Sequence, residues 1–278
     1  EPSHNERFLA KLINVSIPKL LSVFSVFLSC FFVLWVVNPD GLLFTLSTPT
    51  GGDLGAHIWG PAFLRDELIP NFRLSGWSPD WYAGFPAYHF YMVVPMLFIV
   101  LLNVGLVLPL VILGVLASSL LLFKLLTTKP KHWQLFSFVA VCFLLLVIPI
   151  HYGLAFKFIT VIGLLIMPLA AWKMGRLAGL DSTPSALLGA STLAFIFDQS
   201  FNIMGGNLLS TMAGEFAFTL ALVCFLIYVG FLIKGVEDGT GRSKAALFLA
   251  LTGLCHLLVA FFAVAFLGCF KFSLSTNS

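Results

Sequence analysis

Long apolar runs dominate this chain and decide what it can fold into. The first run, Pro18–Val37, has the length of a helix that crosses a hydrocarbon core of roughly 30 Å. Several runs of similar length follow it. Because 59% of the residues are hydrophobic and only 10% are charged, compared with about 25% charged in soluble domains, the sequence predicts an integral membrane protein. We expect an all-α fold, a polytopic transmembrane helical bundle.

The apolar runs predict a single transmembrane domain over residues 1–278, with spans near 18–37, 106–126, 133–150, 154–172, 185–201, 216–233 and 245–270. Phe90–Leu102 is also apolar. Pro95 and the break at Asn103–Gly105 favour a short re-entrant or membrane-surface segment there instead of a full span. We also expect the chain to be the N-terminal part of a longer protein.

The distribution of basic residues predicts the orientation. With a cytoplasmic N-terminus, eleven of the 15 basic residues fall on the cytoplasmic side: Arg7, Lys11, Lys19, Lys124, Lys129, Lys131, Lys173, Arg176, Lys234, Arg242 and Lys244. This is the positive-inside bias of membrane proteins. It indicates a plasma (inner) membrane protein whose first large loop, 38–89, is extracytoplasmic. The same topology places most of the acids of the two polar segments, Ser47–His89 and Asp198–Glu215, on that side.

The first polar segment has the composition of a site. Thr50-Gly51-Gly52-Asp53 is typical of a helix entry, where Asp53 can cap the helix. His57 lies four residues later, so the two side chains share a helical face. They can therefore also bind a polar substrate or a divalent cation, Mg²⁺ or Mn²⁺. Both the capping and the catalytic interpretation stay open for Asp53.

The rest of this loop combines a helix breaker with aromatic residues. Pro61 predicts two short helices on the membrane surface. Trp59, Trp77, Trp81 and Tyr82 suit the lipid–water interface, and Trp77 or Trp81 can alternatively stack on a sugar ring. Asp80 either caps the turn at Gly84 and Pro86 or binds an acceptor hydroxyl.

The second polar segment ends at Glu215, directly before an apolar run. A carboxylate at this position has one of two explanations. Either it has a binding partner or a functional role that offsets its burial, or it is stabilised by the dipole of the helix that follows. Asn207, earlier in the segment, is a candidate substrate-binding residue. Lys157 lies one turn into its span and either reaches harmlessly to the interface or holds a lipid phosphate. His256 is interpreted as a packed histidine.

The chain lacks a phosphate-binding Walker loop, an HExxH metal motif, a nucleophile elbow and a Rossmann fingerprint. Soluble nucleotide chemistry is therefore disfavoured, and nucleic acid is not an expected partner. Acids that face away from the cytoplasm cannot readily use cytoplasmic nucleotide sugars. This favours a membrane-borne donor such as a polyprenyl-phosphate sugar.

The pattern Gly52-Asp53, His57, Leu68-Ile69-Pro70, Gly84-Phe85-Pro86 and Phe90-Tyr91 resembles the GT-C superfamily of membrane glycosyltransferases. It is most similar to actinobacterial multi-spanning proteins labelled 6-pyruvoyl-tetrahydropterin synthase-related. The resemblance runs from the first span to His256. It implies that Asp53, the acid of the first loop, serves as catalytic base or metal ligand, although a second acid does not follow it directly as in the usual pattern.

The sequence thus favours a glycosyltransferase that moves a sugar from a polyprenyl-phosphate donor to an extracytoplasmic cell-envelope acceptor. Asp53, His57 and Glu215 are the predicted catalytic residues. The predicted substrate-binding residues are Asp80, Trp81, Lys157, Arg65, Arg73 and Asn207, with the cations neutralising the departing phosphate. The alternatives are a transporter or flippase of a lipid-linked glycan and a non-catalytic partner in envelope assembly.

Overall fold

The computed structural model describes residues 17–81, 83–90, 92–105, 149–200 and 205–276. These ranges are mostly helical, which confirms the predicted all-α class of membrane protein. The α-helices are α1 Ile17–Val37, α2 Leu54–His57, α3 Trp59–Phe63, α4 Val93–Val104, α5 Tyr152–Leu177, α6 Ser182–Ile196, α7 Leu208–Ser210, α8 Phe216–Glu237, α9 Arg242–Cys255 and α10 Leu257–Thr276. Tighter 3₁₀ turns occur at Pro39–Phe44 and Ile69–Asn71, and wider π turns at Leu64–Leu68 and Thr211–Glu215.

Within the described ranges, three helices are long and apolar enough to cross a membrane. They are α1, α5 and the continuous stretch Leu208–Glu237, which contains α7, a π turn and α8. The predicted spans 18–37, 154–172 and 216–233 fall on these three helices. The predicted span 185–201 falls on the shorter α6. The span predicted at 106–126 and all but the end of 133–150 lie outside the described residues.

The apolar run 245–270, predicted as one span, consists of two helices. α9 ends at Cys255, α10 begins at Leu257, and His256 between them has extended backbone angles (φ −155°, ψ 122°). The backbone N–H of Met92, which precedes α4, donates to the carbonyl of Cys255 at 3.1 Å. A break inside apolar surroundings requires such a partner for the freed carbonyl.

The segment predicted as re-entrant or membrane-surface forms α4, which has 12 residues and is about 18 Å long at 1.5 Å per residue. It is therefore too short to span a bilayer. Met96, Ile99 and Val100 of α4 are buried in the core. At its end, the Asn103 side chain donates to the carbonyl of Ile150 at 3.1 Å, which connects α4 to the approach to α5.

The first helix, α1, buries one narrow stripe of its surface. Ser22, Val26, Ser29 and Val33 are buried, at alternating intervals of four and three residues, which place them on one helical face. The hydroxyl of Ser22 donates to the carbonyl of Ser182 at 2.8 Å and accepts from the Trp172 indole at 3.1 Å. Most large apolar residues on the other faces of α1 are exposed, as expected for a helix that faces lipid.

Helices α5 and α8 form the centre of the bundle, and glycines allow them to approach closely. A Cβ at Gly163 would lie 3.0 Å from the Leu220 nitrogen and 3.0 Å from Thr219 Cγ2. A Cβ at Gly230 would lie 3.0 Å from Leu177 Cβ. Small residues have this function in membrane helix pairs because lipid supplies little hydrophobic driving force between helices.

Replacing Gly163 by valine is therefore expected to separate α5 from α8. Overpacking of this kind costs about 1–3 kcal/mol, which is measurable as a lower unfolding temperature of the detergent-purified protein. Gly268→Val is the matched control, because a Cβ at Gly268 meets nothing within 4 Å. Equal unfolding temperatures for the two variants would contradict the close packing.

The loop between α1 and α4 contains short helices, as predicted, but also a strand pair. Gly76–Ser78 (β1) pairs antiparallel with Phe85–Ala87 (β2), with Trp77 opposite Pro86. The ribbon was not predicted from the sequence. Gly84 permits it, because a Cβ there would overlap the ring of Trp77 and its φ is +138°.

Candidate functional site

The two polar segments meet in one backbone contact. The N–H of Asp53, at the start of α2, donates to the carbonyl of Ala213 in the π turn at 2.6 Å. Glycines on both sides make the approach possible. A Cβ at Gly52 would lie 2.9 Å from Ala213 Cα, and a Cβ at Gly214 would lie 2.8 Å from Asp53 Cβ. We call this contact the Asp53–Ala213 junction.

The junction gathers the three predicted catalytic residues. Asp53 is exposed and does not cap α2 with its side chain. The backbone N–H of His57 donates to the carbonyl of Asp53 at 2.9 Å. The carboxyl group of Glu215 lies within the electrostatic influence of Asp53. Glu215 also has a partner that sequence reasoning missed, because its Oε2 is 3.7 Å from Nε2 of His256.

The environment of His57 favours the neutral imidazole. Burial lowers the pKa of His57 from its ordinary value of 6.5, and the nearby Asp53 carboxylate opposes this only in part. The ring of His57 lies edge-on to Phe216, with centroids 5.9 Å apart. At pH 7 His57 is therefore uncharged and has a ring nitrogen available to accept a proton or a hydrogen bond.

Asp53 and His57 lie on the wall of a cavity of about 240 Å³, below the roughly 300–1,000 Å³ of sites for drug-sized ligands. We call it the aromatic cavity. Its other lining residues are Ala56, Trp59, Gly60, Trp81, Phe85, Pro86, Ala87, Tyr88, Phe90, Met92 and Met96. α2, α3, the ribbon and α4 therefore all contribute to it.

The aromatic wall is organised by stacking. Trp59 stacks on Trp81 with ring centroids 5.6 Å apart and on Phe63 at 4.9 Å. Of the two tryptophans predicted to stack on a sugar, Trp81 lies in the cavity, whereas Trp77 is 66% exposed outside it. The lining of the cavity thus combines apolar ring surface with a carboxylate and an imidazole.

Tyr88 adds a polar group that sequence reasoning missed. Its hydroxyl is buried and has no hydrogen-bond partner among the described residues, and burial raises its pKa. A Cβ on Gly60 would lie 2.5 Å from this hydroxyl, so only glycine leaves room for it. An unsatisfied buried hydroxyl costs about 1–3 kcal/mol. Tyr88 lines the cavity, but its hydroxyl lies against Gly60, so a polar group in the cavity would reach it only after a small shift of the ring.

The protein-family models, the curated proteins and the solved structures with which the chain was compared contain no match to it.

Lys157 is separated from the predicted catalytic residues. It is 9% exposed, and its ammonium donates to the carbonyls of Leu42 and Thr45 at 2.7 and 2.6 Å and to the Thr45 hydroxyl at 2.7 Å. It lines a different cavity from Asp53 and His57. The contact between Lys157 and the departing phosphate therefore stays a prediction, and it would have to be made from the neighbouring cavity.

The structure does not bring the remaining predicted binding residues to the aromatic cavity. Arg65 pairs with Asp66 at 2.6 Å and donates to the Asn103 side chain at 2.7 Å, so its charge is already neutralised. Arg73 and Asp80 are exposed in the loop. The Asn207 amide is buried and caps α7, accepting from the Ser210 N–H at 2.8 Å, which gives this side chain a structural task.

The predicted metal ligands supply a partial donor set. Asp53 and His57 provide one carboxylate and one imidazole. Among the described residues, no group of three or more His, Cys, Asp or Glu side chains is arranged to hold a metal ion. Mg²⁺ typically takes one or two protein carboxylates and completes its shell with water and substrate phosphate oxygens. Asp53 fits that role, whereas an imidazole is a less suitable ligand for Mg²⁺.

Proposed function

We propose that the chain is a membrane glycosyltransferase that moves a sugar from a polyprenyl-phosphate donor to an extracytoplasmic acceptor of the cell envelope. The observation that carries the proposal is the Asp53–Ala213 junction. It places an acid and a neutral imidazole on the wall of an aromatic cavity, with a second acid beside them.

The aromatic cavity has the chemistry of a sugar subsite. A sugar ring has apolar C–H faces and polar hydroxyl edges. Trp81 offers ring surface to a face, while Asp53 and His57 are available to edge hydroxyls. The buried Tyr88 hydroxyl would join them after a small shift of its ring. The volume of about 240 Å³ is suited to a single ring and not to an oligosaccharide.

The reaction proposed for this site is a direct displacement with inversion. The acceptor hydroxyl oxygen forms a bond to the anomeric carbon of the sugar, and the bond from that carbon to the phosphate oxygen breaks. The lipid phosphate leaves with the bonding electrons. Asp53 accepts the hydroxyl proton as general base, and His57, neutral at pH 7, orients the attacking hydroxyl by accepting or donating a hydrogen bond. A divalent cation bound at Asp53 would neutralise the phosphate charge.

The proposal is tested by chemistry and by topology. Membranes that contain the overexpressed chain are supplied with a polyprenyl-phosphate sugar and candidate envelope acceptors, and release of free polyprenyl phosphate is measured. Release that depends on both chain and acceptor supports transfer.

Cysteine labelling from outside the cell tests whether residues 38–89 are extracytoplasmic, with the N-terminus in the cytoplasm of a plasma (inner) membrane protein. Labelling from the cytoplasm alone would overturn the proposal.

Tyr88 offers a conservative test of the sugar subsite. We expect Tyr88→Phe to leave the ligand-free protein equally stable or about 1 kcal/mol more stable, because the variant loses an unsatisfied buried hydroxyl. We also expect the KM for the sugar donor to rise about tenfold, because the loss of one hydrogen bond to substrate costs roughly 1.4 kcal/mol. The measurements are thermal unfolding and steady-state transfer kinetics.

Tyr228→Phe is the control for Tyr88→Phe, because the Tyr228 hydroxyl is also buried without a partner among the described residues but does not line the cavity. Unchanged transfer kinetics in Tyr88→Phe would remove Tyr88 from the substrate site.

A specific observation also favours the transporter or flippase alternative. Transporters of several folds bind their substrates where helices are interrupted. Here the π turn before α8 and the α9–α10 break meet, and the ionisable pair Glu215–His256 lies between them. Movement of lipid-linked glycan across sealed vesicles without release of polyprenyl phosphate would favour this alternative.

A further inference from the structure

A second cavity, of about 490 Å³, lies next to the aromatic cavity. Asp53 lines the aromatic cavity and its neighbour Leu54 lines the second one. We call the second one the Lys157 cavity. Its polar lining consists of Lys157, Thr160, Ser47, Thr48 and Thr50, and its apolar lining includes Val36, Val37, Leu208, Leu209 and Met212.

Lys157 brings an unneutralised charge to this cavity. Its ammonium has three hydrogens, and three neutral oxygens of Leu42 and Thr45 accept from it. Across the described parts of the chain, the ion pairs are Arg65–Asp66, Lys234–Asp238 and His256–Glu215. None of them involves Lys157. A cation that is held only by neutral oxygens attracts an anion that enters the same cavity, so the cavity favours an anionic occupant.

The rim of the cavity offers donors that Lys157 does not use. Ser47, Thr48 and Thr50 are exposed. The Ser47 hydroxyl is hydrogen-bonded to that of Thr45 at 2.9 Å, whereas Thr48 and Thr50 can each donate one hydrogen bond to an occupant. The segment that carries them is fixed on α5, because a Cβ on Gly153 would lie 2.7 Å from the carbonyl oxygen of Ser47. An anion with several acceptor oxygens, such as a phosphate, matches one ammonium charge and the two threonine hydroxyls.

The apolar lining of the Lys157 cavity indicates that the anionic occupant also has a hydrocarbon part. Val36 and Val37 end α1, a span whose outer faces are apolar and exposed. Leu209 of α7, which also lines the cavity, is 41% exposed. The cavity is therefore continuous with an apolar surface that faces hydrocarbon. A free phosphate ion makes no favourable contact with such a surface. A molecule that joins a phosphate to a hydrocarbon chain matches both parts of the lining.

We propose that the Lys157 cavity binds the phosphate headgroup of an anionic membrane lipid, with the hydrocarbon chain along the wall formed by α1 and α7. The phosphate accepts from the hydroxyls of Thr48 and Thr50 and compensates the Lys157 charge. This inference depends on the location of the chain in a bilayer and not on sugar transfer, so a chain without transferase activity would leave it standing.

The test is a lipid-retention experiment on the whole purified chain. The protein is exchanged into detergent with equal amounts of phosphatidic acid and phosphatidylcholine of the same acyl chains, and bound lipid is counted by native mass spectrometry. One neutralised lysine is worth about 1 kcal/mol near a membrane surface, so we expect about fivefold preference for phosphatidic acid. Inorganic phosphate at the same concentration should not displace the lipid.

Lys157→Gln removes the charge and should bring the preference to near parity. Lys173→Gln is the matched control, because Lys173 lies on the same helix but is exposed and outside the cavity, and it should keep the preference. Since Lys157 also holds the Leu42–Thr45 turn, a second variant is needed if Lys157→Gln does not fold. Thr48→Val/Thr50→Val leaves the Lys157 bonds intact and should lower the preference.

The inference is overturned if the unmodified chain retains both lipids equally, or if inorganic phosphate displaces phosphatidic acid. It is also overturned if the folded variants of Lys157 and of the two threonines retain phosphatidic acid as well as the unmodified chain does.

Discussion

Asp53→Asn is expected to lower the rate of sugar transfer by about 10² to 10⁴-fold, the usual contribution of a general base, while the protein stays folded in the membrane. The amide cannot accept the proton of the attacking hydroxyl. The backbone is not expected to move, because the contact with Ala213 is made by the main-chain N–H of residue 53. The measurement is the release of polyprenyl phosphate by purified protein, together with its thermal unfolding curve.

Glu67→Gln is the charge-matched control for this variant. Glu67 is an exposed acid of the same loop, and it does not line the aromatic cavity. We expect transfer within twofold of the unmodified chain, because removal of a distant exposed charge has a small effect. Full activity of Asp53→Asn would eliminate Asp53 as the base and with it the proposed mechanism.

Gly52→Ala is expected to open the Asp53–Ala213 junction. A Cβ at this position would lie 2.9 Å from Ala213 Cα and closer still to the Ala213 carbonyl oxygen, which is the acceptor for the Asp53 N–H. Overpacking costs about 1–3 kcal/mol of stability. A displacement of Asp53 by about 1 Å would lower transfer about 100-fold. Both effects are measurable on the purified protein.

Substitutions at two neighbouring glycines distinguish a collision with Ala213 from the other possible causes of this loss of activity. Gly51 has a φ of +108° but meets nothing within 4 Å, so Gly51→Ala tests backbone strain without a collision. Gly55 lies within α2 and also meets nothing within 4 Å, so Gly55→Ala tests the substitution alone. We expect Gly52→Ala to be the least active of the three. If Gly51→Ala loses as much transfer as Gly52→Ala, backbone strain and not the junction contact is responsible.

The gathering of Asp53, His57 and Glu215 was predictable from the sequence because it follows from topology. Polar segments that fall on the same side of a bundle are forced to share a small area at the ends of its helices. Asp53 and His57 are also four residues apart, which fixes their relation on any helix. Gly52 and Gly214 marked two positions where backbone could approach backbone, although the sequence did not show that they would meet each other's segments.

The partners of long side chains were not predictable in the same way. The position of Lys157 near one end of α5 follows from the sequence, but its acceptors are carbonyls of Leu42 and Thr45, more than a hundred residues earlier. Every residue has a carbonyl, so the sequence contains no sign of which ones accept. Arg65 is similar, because its contact with Asn103 becomes evident only when α4 is placed.

The break at His256 and the ribbon had no clear sequence signal. Residues 255–257 contain neither glycine nor proline, and the carbonyl freed at Cys255 is satisfied by a distant N–H at Met92. Pro86 argued against a strand, since proline removes a ladder hydrogen bond. In a ribbon of two short strands, however, each strand has a free edge where a missing N–H is tolerated.

The hydrogen bond from Met92 to Cys255 has a consequence for how a ligand enters. If α4 swung outward, it would leave a main-chain oxygen bare among hydrocarbon groups, at a cost of several kcal/mol. The floor of the aromatic cavity, which includes Met92 and Met96, is thus anchored. A ligand is therefore expected to reach the cavity without an outward movement of α4.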